Sequence, residues 1–193
     1  MADFPIIADM SEAVLKKLRE ALCPEAMQSP EAIQIAAPTD KNGDYQLGVF
    51  LYDIREMSEY RSSAQIRNAN GTKTFPPKPL SLFYMLFLNS RAQVASGAQA
   101  EQRIIGRAIQ ALSDEPFLDV AAVHASAYPE DEDAGITFLN LSFEDKTKIW
   151  QGLSTPYQVA LYFSVSPVLI SSRKATPFSR VIAAETEIEQ LNR

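Results

Sequence analysis

At 193 residues, 46% hydrophobic and 22% charged, the chain has an ordinary globular composition with a formal net charge of −6. A chain of this size buries roughly 70% of the surface its unfolded form exposes, enough for one sizeable core. The acidic balance speaks against a nucleic-acid groove, because phosphate binding needs clustered Lys and Arg, and here the basic residues are scattered, with modest gatherings at 55–73 and 173–180.

Cys23 is the single cysteine, so no intrachain disulfide and no thiolate metal cluster is expected. It reads as a small apolar residue near a helix end. The start, MADFPIIADMSE, carries acids and no basic n-region, unlike a secretory signal. The apolar run 80–88 is too short to span a bilayer, and Gln158, Ser164, Ser166 and Pro167 interrupt the run 157–171. These features predict synthesis and folding in the cytoplasm, no direct membrane insertion, and release only by lysis or within a particle.

In chain order, Asp9 or Ser11 can cap a first helix reaching about Leu22, with Val14, Leu15, Leu18 and Leu22 on one stripe. Pro24 and Pro30 end it. Residues 33–36 read as a short strand, and Lys41-Asn42-Gly43-Asp44 as a turn joining it to the next in a hairpin. In residues 47–54, Leu47, Val49 and Leu51 point one way and Phe50, Tyr52 and Ile54 the other. Residues 79–89 repeat the pattern: Leu80, Leu82, Tyr84, Leu86 and Leu88 alternate with Phe83, Met85 and Phe87. Apolar residues on both faces predict two covered, central strands.

Between them lies a polar arm, residues 56–75, too long for an ordinary hairpin loop. Its end, Phe75-Pro76-Pro77-Lys78-Pro79, is extended and stiff. A second helix over 99–114 has Ile104, Ile105, Ala108, Ile109 and Leu112 as its buried stripe, with Arg103 and Arg107 outward. An acidic turn at 129–135 precedes a strand at 136–141. Ser142 then caps a third helix, with Asp145 in the capping-box position. Trp150 and Leu153 lie on that helix, and Pro156 closes it. In the last long strand, 157–171, Tyr157, Val159, Leu161, Phe163 and Val165 share a face. Residues 173–193 are a tail, helical from Arg180. The order predicts one α+β domain over 1–172: a mixed, mainly antiparallel sheet against about three helices, with the arm projecting between two central strands.

Catalytic, cofactor-binding and metal-binding sets are all missing from the sequence. His124, the single histidine, sits among small residues with no G-x-S-x-G elbow to serve. Asn70-Gly71-Thr72-Lys73-Thr74 has the wrong order for a phosphate loop, and no G-x-G-x-x-G occurs. The acidic run Glu130-Asp131-Glu132-Asp133 lacks calcium-loop spacing and reads as a solvated turn, or as a docking patch for a basic neighbour. The Trp150–Tyr157 neighbourhood reads as core.

Four segments together carry a resemblance: LGVFLYDIRE (47–56), PPKPLSLFYML (76–86), EQRIIGRAIQALSDEPFL (101–118) and LSFEDKTKIWQGLSTPYQVALYFSVSPVLISS (141–172). In order and spacing the chain resembles the cap, or tail-terminator, proteins of phage-tail-like contractile injection systems of the antifeeding-prophage and virulence-cassette type. The resemblance implies a structural protein forming a hexameric ring at the end of the particle away from the baseplate. Its partners would be its own copies, the inner-tube protein and the sheath protein. Relatives carry more sequence past the corresponding last strand.

A terminator must match the edge that each tube ring exposes and offer nothing equivalent on its other side. The arm and tail hold too few apolar residues to bury themselves. The arm is therefore expected to reach across the ring or onto the tube, and the tail to reach the sheath. Arg55, Glu56, Arg61, Arg67 and Lys73 in the arm, and Arg173, Lys174 and Arg180 in the tail, are the candidate interface residues. Asp53 and Arg55 can equally form a plain strand-end ion pair, worth under about 1 kcal/mol if exposed. The alternatives to a cap are a tail-completion or baseplate-side adaptor, or a small cytoplasmic enzyme or ligand-binding domain.

Overall fold

The structure is a computed structural model that describes residues 3–40, 43–60, 66–67, 72–89, 97–119 and 133–177. Its frame is a six-stranded sheet in the order β1-β2-β5-β8-β7-β6. The strands are β1 (Ile33–Ile35), β2 (Leu47–Glu56), β5 (Lys78–Leu88), β6 (Phe117–Leu118), β7 (Ala134–Phe138) and β8 (Ala160–Ile170). Among the described residues three α-helices cover it: α1 (Ile6–Leu22), α2 (Ala98–Asp114) and α3 (Phe143–Gly152). This is the mixed, mainly antiparallel α+β architecture that the sequence predicts.

The alternation along β5 decides which side chains meet which helices. Leu82, Tyr84 and Leu86 join the α1 and α2 side chains in one large core, together with Leu47, Val49, Phe163 and Val165. Met85 and Phe87 turn the other way, into a second core with Tyr45, Trp150 of α3 and Tyr162. The strands β2 and β5 are both interior, as expected of runs that are apolar on both faces.

Both helical stripes come out largely as the period predicts. Val14, Leu15, Leu18 and Leu22 of α1 are buried, as are Ile104, Ala108 and Leu112 of α2, whereas Ile109 is exposed. The first helix starts earlier than expected, with Pro5 at its N-cap and no side-chain cap. Ser11 is a buried interior residue whose hydroxyl reaches the Ile7 carbonyl and the Tyr84 hydroxyl. Arg107 does not point freely outward: its guanidinium reaches the Ala21 carbonyl at the end of α1 and pairs with Glu25. At α3, Ser142 is the N-cap and accepts from the Asp145 backbone N–H at 3.1 Å.

The expected hairpin between β1 and β2 is not formed. The two strands run parallel, with Ile33, Gln34 and Ile35 opposite Leu47, Gly48 and Val49. The chain over 36–46 must return to the start of β1, and side chains pin its ends there. The Tyr45 hydroxyl donates to the Ala37 carbonyl, and the Asn89 amide donates to the Gly43 and Tyr45 carbonyls. A Cβ at Gly48 would meet the Phe87 ring at 2.4 Å, so any other residue there forces that ring to move.

Two further departures follow from bulges and strand ends. The register of β2 against β5 shifts between Leu51 and Asp53, so Ile54 stands opposite Leu82 and not on the Phe50 side. The last strand begins at Ala160, so Tyr157 and Val159 precede it and are exposed.

A second sheet lies outside the first. The arm forms β3 (Ile66–Arg67) and β4 (Thr72–Thr74), and β4 pairs antiparallel with β9 (Ala175–Pro177) at the root of the tail. His124, most of the acidic turn, and the expected tail helix from Arg180 lie outside the described residues.

Candidate assembly surface

The registers of the main sheet bring the arm and the tail to one end of it. Glu56 stands opposite Leu80, and Lys78 opposite Ile170, so β2 ends, β5 begins and β8 ends at the same place. Arg55, Glu56, Lys73, Arg173 and Lys174 therefore gather at this end, with Arg67 paired in register to Lys73. Arg61 and Arg180 lie outside the described residues.

The bulge in β2 sets the aim of Arg55. Past it, Asp53 stands opposite Phe83 and Arg55 opposite Ser81, which puts both side chains on the α3 face. Arg55 Nε donates to Asp53 Oδ2 at 2.6 Å, and the guanidinium lies 4.8 Å from the centre of the Phe83 ring. Tyr52 sits beside them; burial pushes its phenol up, partly offset by the Arg55 charge. With Leu141, Asp145, Lys148 and Ile149 of the α3 layer, these residues line a shallow pocket of about 400 Å³. Arg173 makes a looser set of contacts, 3.6 Å to Asp3 and 5.9 Å from the Phe4 ring centre. The tail root is thus held both by the N-terminal residues and by the strand pairing of β9 with β4.

Between arm and tail lies a cleft of about 600 Å³ with a mainly apolar lining. Phe75, Pro76, Pro77 and Pro79 form one wall and Ile170 the other, with Glu56, Lys78 and Lys174 at the rim. The stiffness of the proline run is visible in the sequence; its role as the wall of a cleft is not, because the facing Ile170 comes from far along the chain.

At the opposite end of β8, a patch of exposed apolar side chains surrounds the start of the strand. Phe143 and Val159 are 69% and 70% exposed, the most open large apolar residues described. The Phe143 ring lies 5.1 Å from that of Tyr157, which in turn touches Trp150. Beside Val159 a hollow of about 550 Å³ is lined by Pro38, Phe87, Leu88, Pro156 and Glu101. Tyr157 and Val159, expected within the strand, lie before its first residue Ala160, which is what leaves this patch open. Pro156 directly before them marks this later start in the sequence, since proline cannot donate to a sheet ladder.

No group of three or more metal-ligating side chains occurs among the described residues. Nor is any described helix long and apolar enough to cross a membrane.

Two solved structures share the fold. One is the sheath/tube terminator, in its extended state, of the PVC extracellular contractile injection system. It is 22% identical with a TM-score of 0.67, covering 96% of this chain and 64% of that one. The other is the tube-terminating cap of the anti-feeding prophage, 20% identical with a TM-score of 0.64, covering 94% of this chain and 61% of that one. This chain thus spans under two thirds of the length of either relative. No curated protein matches it by sequence. The Pvc16 N-terminal domain profile matches residues 9–184, nearly the whole chain, and the protein belongs to that family.

Proposed function

We propose that this protein is the cap of a contractile injection particle. It forms a hexameric ring that seats on the last ring of the inner tube, ends tube growth and ties the tube to the last sheath ring. The observation that carries this reading is the shared fold, across nearly the whole chain, with a sheath/tube terminator and a tube-terminating cap. The distribution of surface chemistry supports it. Apolar and charged groups sit at the ends of the sheet, as docking requires.

The role is structural, with no cofactor and no nucleic-acid partner. The protein folds in the cytoplasm and leaves the cell only with the particle. Arg55, Glu56, Arg61, Arg67 and Lys73 serve contacts across the ring or onto the tube, and Arg173, Lys174 and Arg180 serve contacts to the sheath. The pairing of β4 with β9 supports treating arm and tail as one coupled unit: a load taken by the tail passes through three paired residues to the arm. That is the connection a link between sheath and tube needs.

Electron microscopy of particles made with and without this gene tests the proposal. Particle lengths should spread or run on, or sheath and tube should separate at one end, when the gene is deleted. Capped particles of unchanged length and integrity would overturn it.

A further inference from the structure

We infer that copies of this chain join head to tail. The patch around Phe143 and Val159 on one copy seats in the cleft between Phe75 and Ile170 on the next. The inference rests on the ring reading above and names the two surfaces that close it.

Three observations carry it. First, the two surfaces lie at opposite ends of β8, about 30 Å apart at ordinary strand rise, so one copy cannot satisfy both against itself. A contact between two different surfaces is heterologous, and it generates a ring when its rotation closes. Second, the surfaces match in shape class. Phe143 and Val159 project, whereas the proline-walled cleft is concave and mainly apolar, as the centre of a stable interface is. The stiff proline wall is already ordered, so docking freezes little further motion.

Third, the rims carry opposite charge, unpaired among the described residues at Lys78, Lys174 and Glu101. Lys78 and Lys174 at the cleft form no ion pair among the described residues, and they outnumber Glu56 there. Glu101 beside Val159 likewise forms none, whereas Glu144, which flanks Phe143, is paired with Lys148 of its own helix at 2.7 Å. Glu101 at one end thus attracts the two lysines at the other, and the lysines repel their own kind, which favours the head-to-tail sense over a two-fold dimer.

Disulfide trapping of the full chain tests the contact. Cys23→Ser removes the native thiol; Glu144→Cys and Lys174→Cys then place one thiol on each rim without touching the apolar groups. Oxidation of the triple variant, in solution and on isolated particles, should give a ladder of covalent multimers. Neither rim cysteine alone should crosslink. Val159→Asp should lower ring formation at fixed concentration by at least about tenfold while the monomer stays folded.

A dimer formed by either single rim variant would overturn the head-to-tail sense. Rings of the expected mass that fail to crosslink, or that Val159→Asp leaves intact, would overturn these surfaces and leave the cap reading standing. A chain that stays monomeric both in solution and on particles would remove the ring itself.

Discussion

On the α1/α2 face of the main sheet, Leu82, Tyr84, Leu86, Phe163 and Val165 meet a helix layer that buries them fully. One polar pair interrupts this face, and it is satisfied: the Tyr84 hydroxyl lies 2.9 Å from Ser11 Oγ, which in turn reaches the Ile7 carbonyl. On the α3 face the side chains are aromatic and meet edge-on, Phe87 against both Tyr45 and Trp150, and Tyr52 against Tyr162. The Trp150 indole lies close enough to Tyr162 to oppose the push of burial on its phenol, yet neither Trp150 Nε1 nor the Tyr162 hydroxyl completes a hydrogen bond. From there the aromatic cluster runs out to exposed Tyr157 and Phe143. The first face is closed within one chain and carries the fold. The second is closed only in part, and its open margin is where partners are to be sought.

Phe163→Ala should be the most damaging change. Its ring stacks 5.5 Å from Tyr84 in the centre of the closed face, where little can collapse into the void. The expected loss is about 3–5 kcal/mol, read by urea denaturation. On the α3 face, Gly48→Ala tests whether that side is tightly packed despite its unsatisfied atoms. The new methyl would overlap the Phe87 ring, itself held by Tyr45 and Trp150. A loss of about 1–3 kcal/mol is expected; a loss near zero would mean that the aromatic cluster yields freely and that the two faces differ more than their burial suggests.

How legible these faces are depends on how local their cause is. The stripes of α1 and α2, the two-sided apolar strands and the Ser142 cap follow from residues within a few positions of each other, and the sequence displays them directly. The parallel pairing of β1 and β2 does not. Asn42-Gly43 is a fair hairpin signal, but it is overruled by Asn89, which holds the loop from 44 residues further along the chain than Tyr45. The bulge at Tyr52, which aims Arg55 at Phe83, leaves no mark in the alternation of LYDIRE. Pairing of β4 with β9 is equally invisible, since both are short polar stretches some hundred residues apart. Of the candidate surface, the charged residues could be picked by type. The apolar cleft and patch could not, because each is assembled from segments distant in sequence.

Paired tyrosine variants sharpen the comparison between the faces. Tyr84→Phe removes a made hydrogen bond and should cost about 1 kcal/mol, whereas Tyr162→Phe removes a buried hydroxyl without a partner and should be neutral or stabilising. Burial raises both phenols from 10.0 to about 12. The unfolded chain therefore ionises first: the stability tied to these groups is whole below pH 10.0 and is lost as the pH rises toward about 12. Each Phe variant should reduce that alkaline loss in a pH series of unfolding curves. Equal costs for the two variants at neutral pH would mean that the α3 face is satisfied after all.

The smallest effect on the fold is expected at Arg55, and the value of the experiment lies in that smallness. Its ion pair with Asp53 is exposed, and its contact with Phe83 is one cation–π interaction at the surface. Together they should contribute at most about 1 kcal/mol to the monomer. Arg55→Ala should therefore leave the unfolding curve nearly unchanged. If the α3 margin is an assembly surface, the same variant should still reduce the fraction of capped particles seen by electron microscopy, and added salt should reduce capping by the wild-type protein in the same direction. Particles capped as well by the variant as by the wild type would reduce Arg55 to a strand-end ion pair. The bulge that aims it would then serve the packing of Tyr52 against Phe83 and Tyr162 rather than any partner.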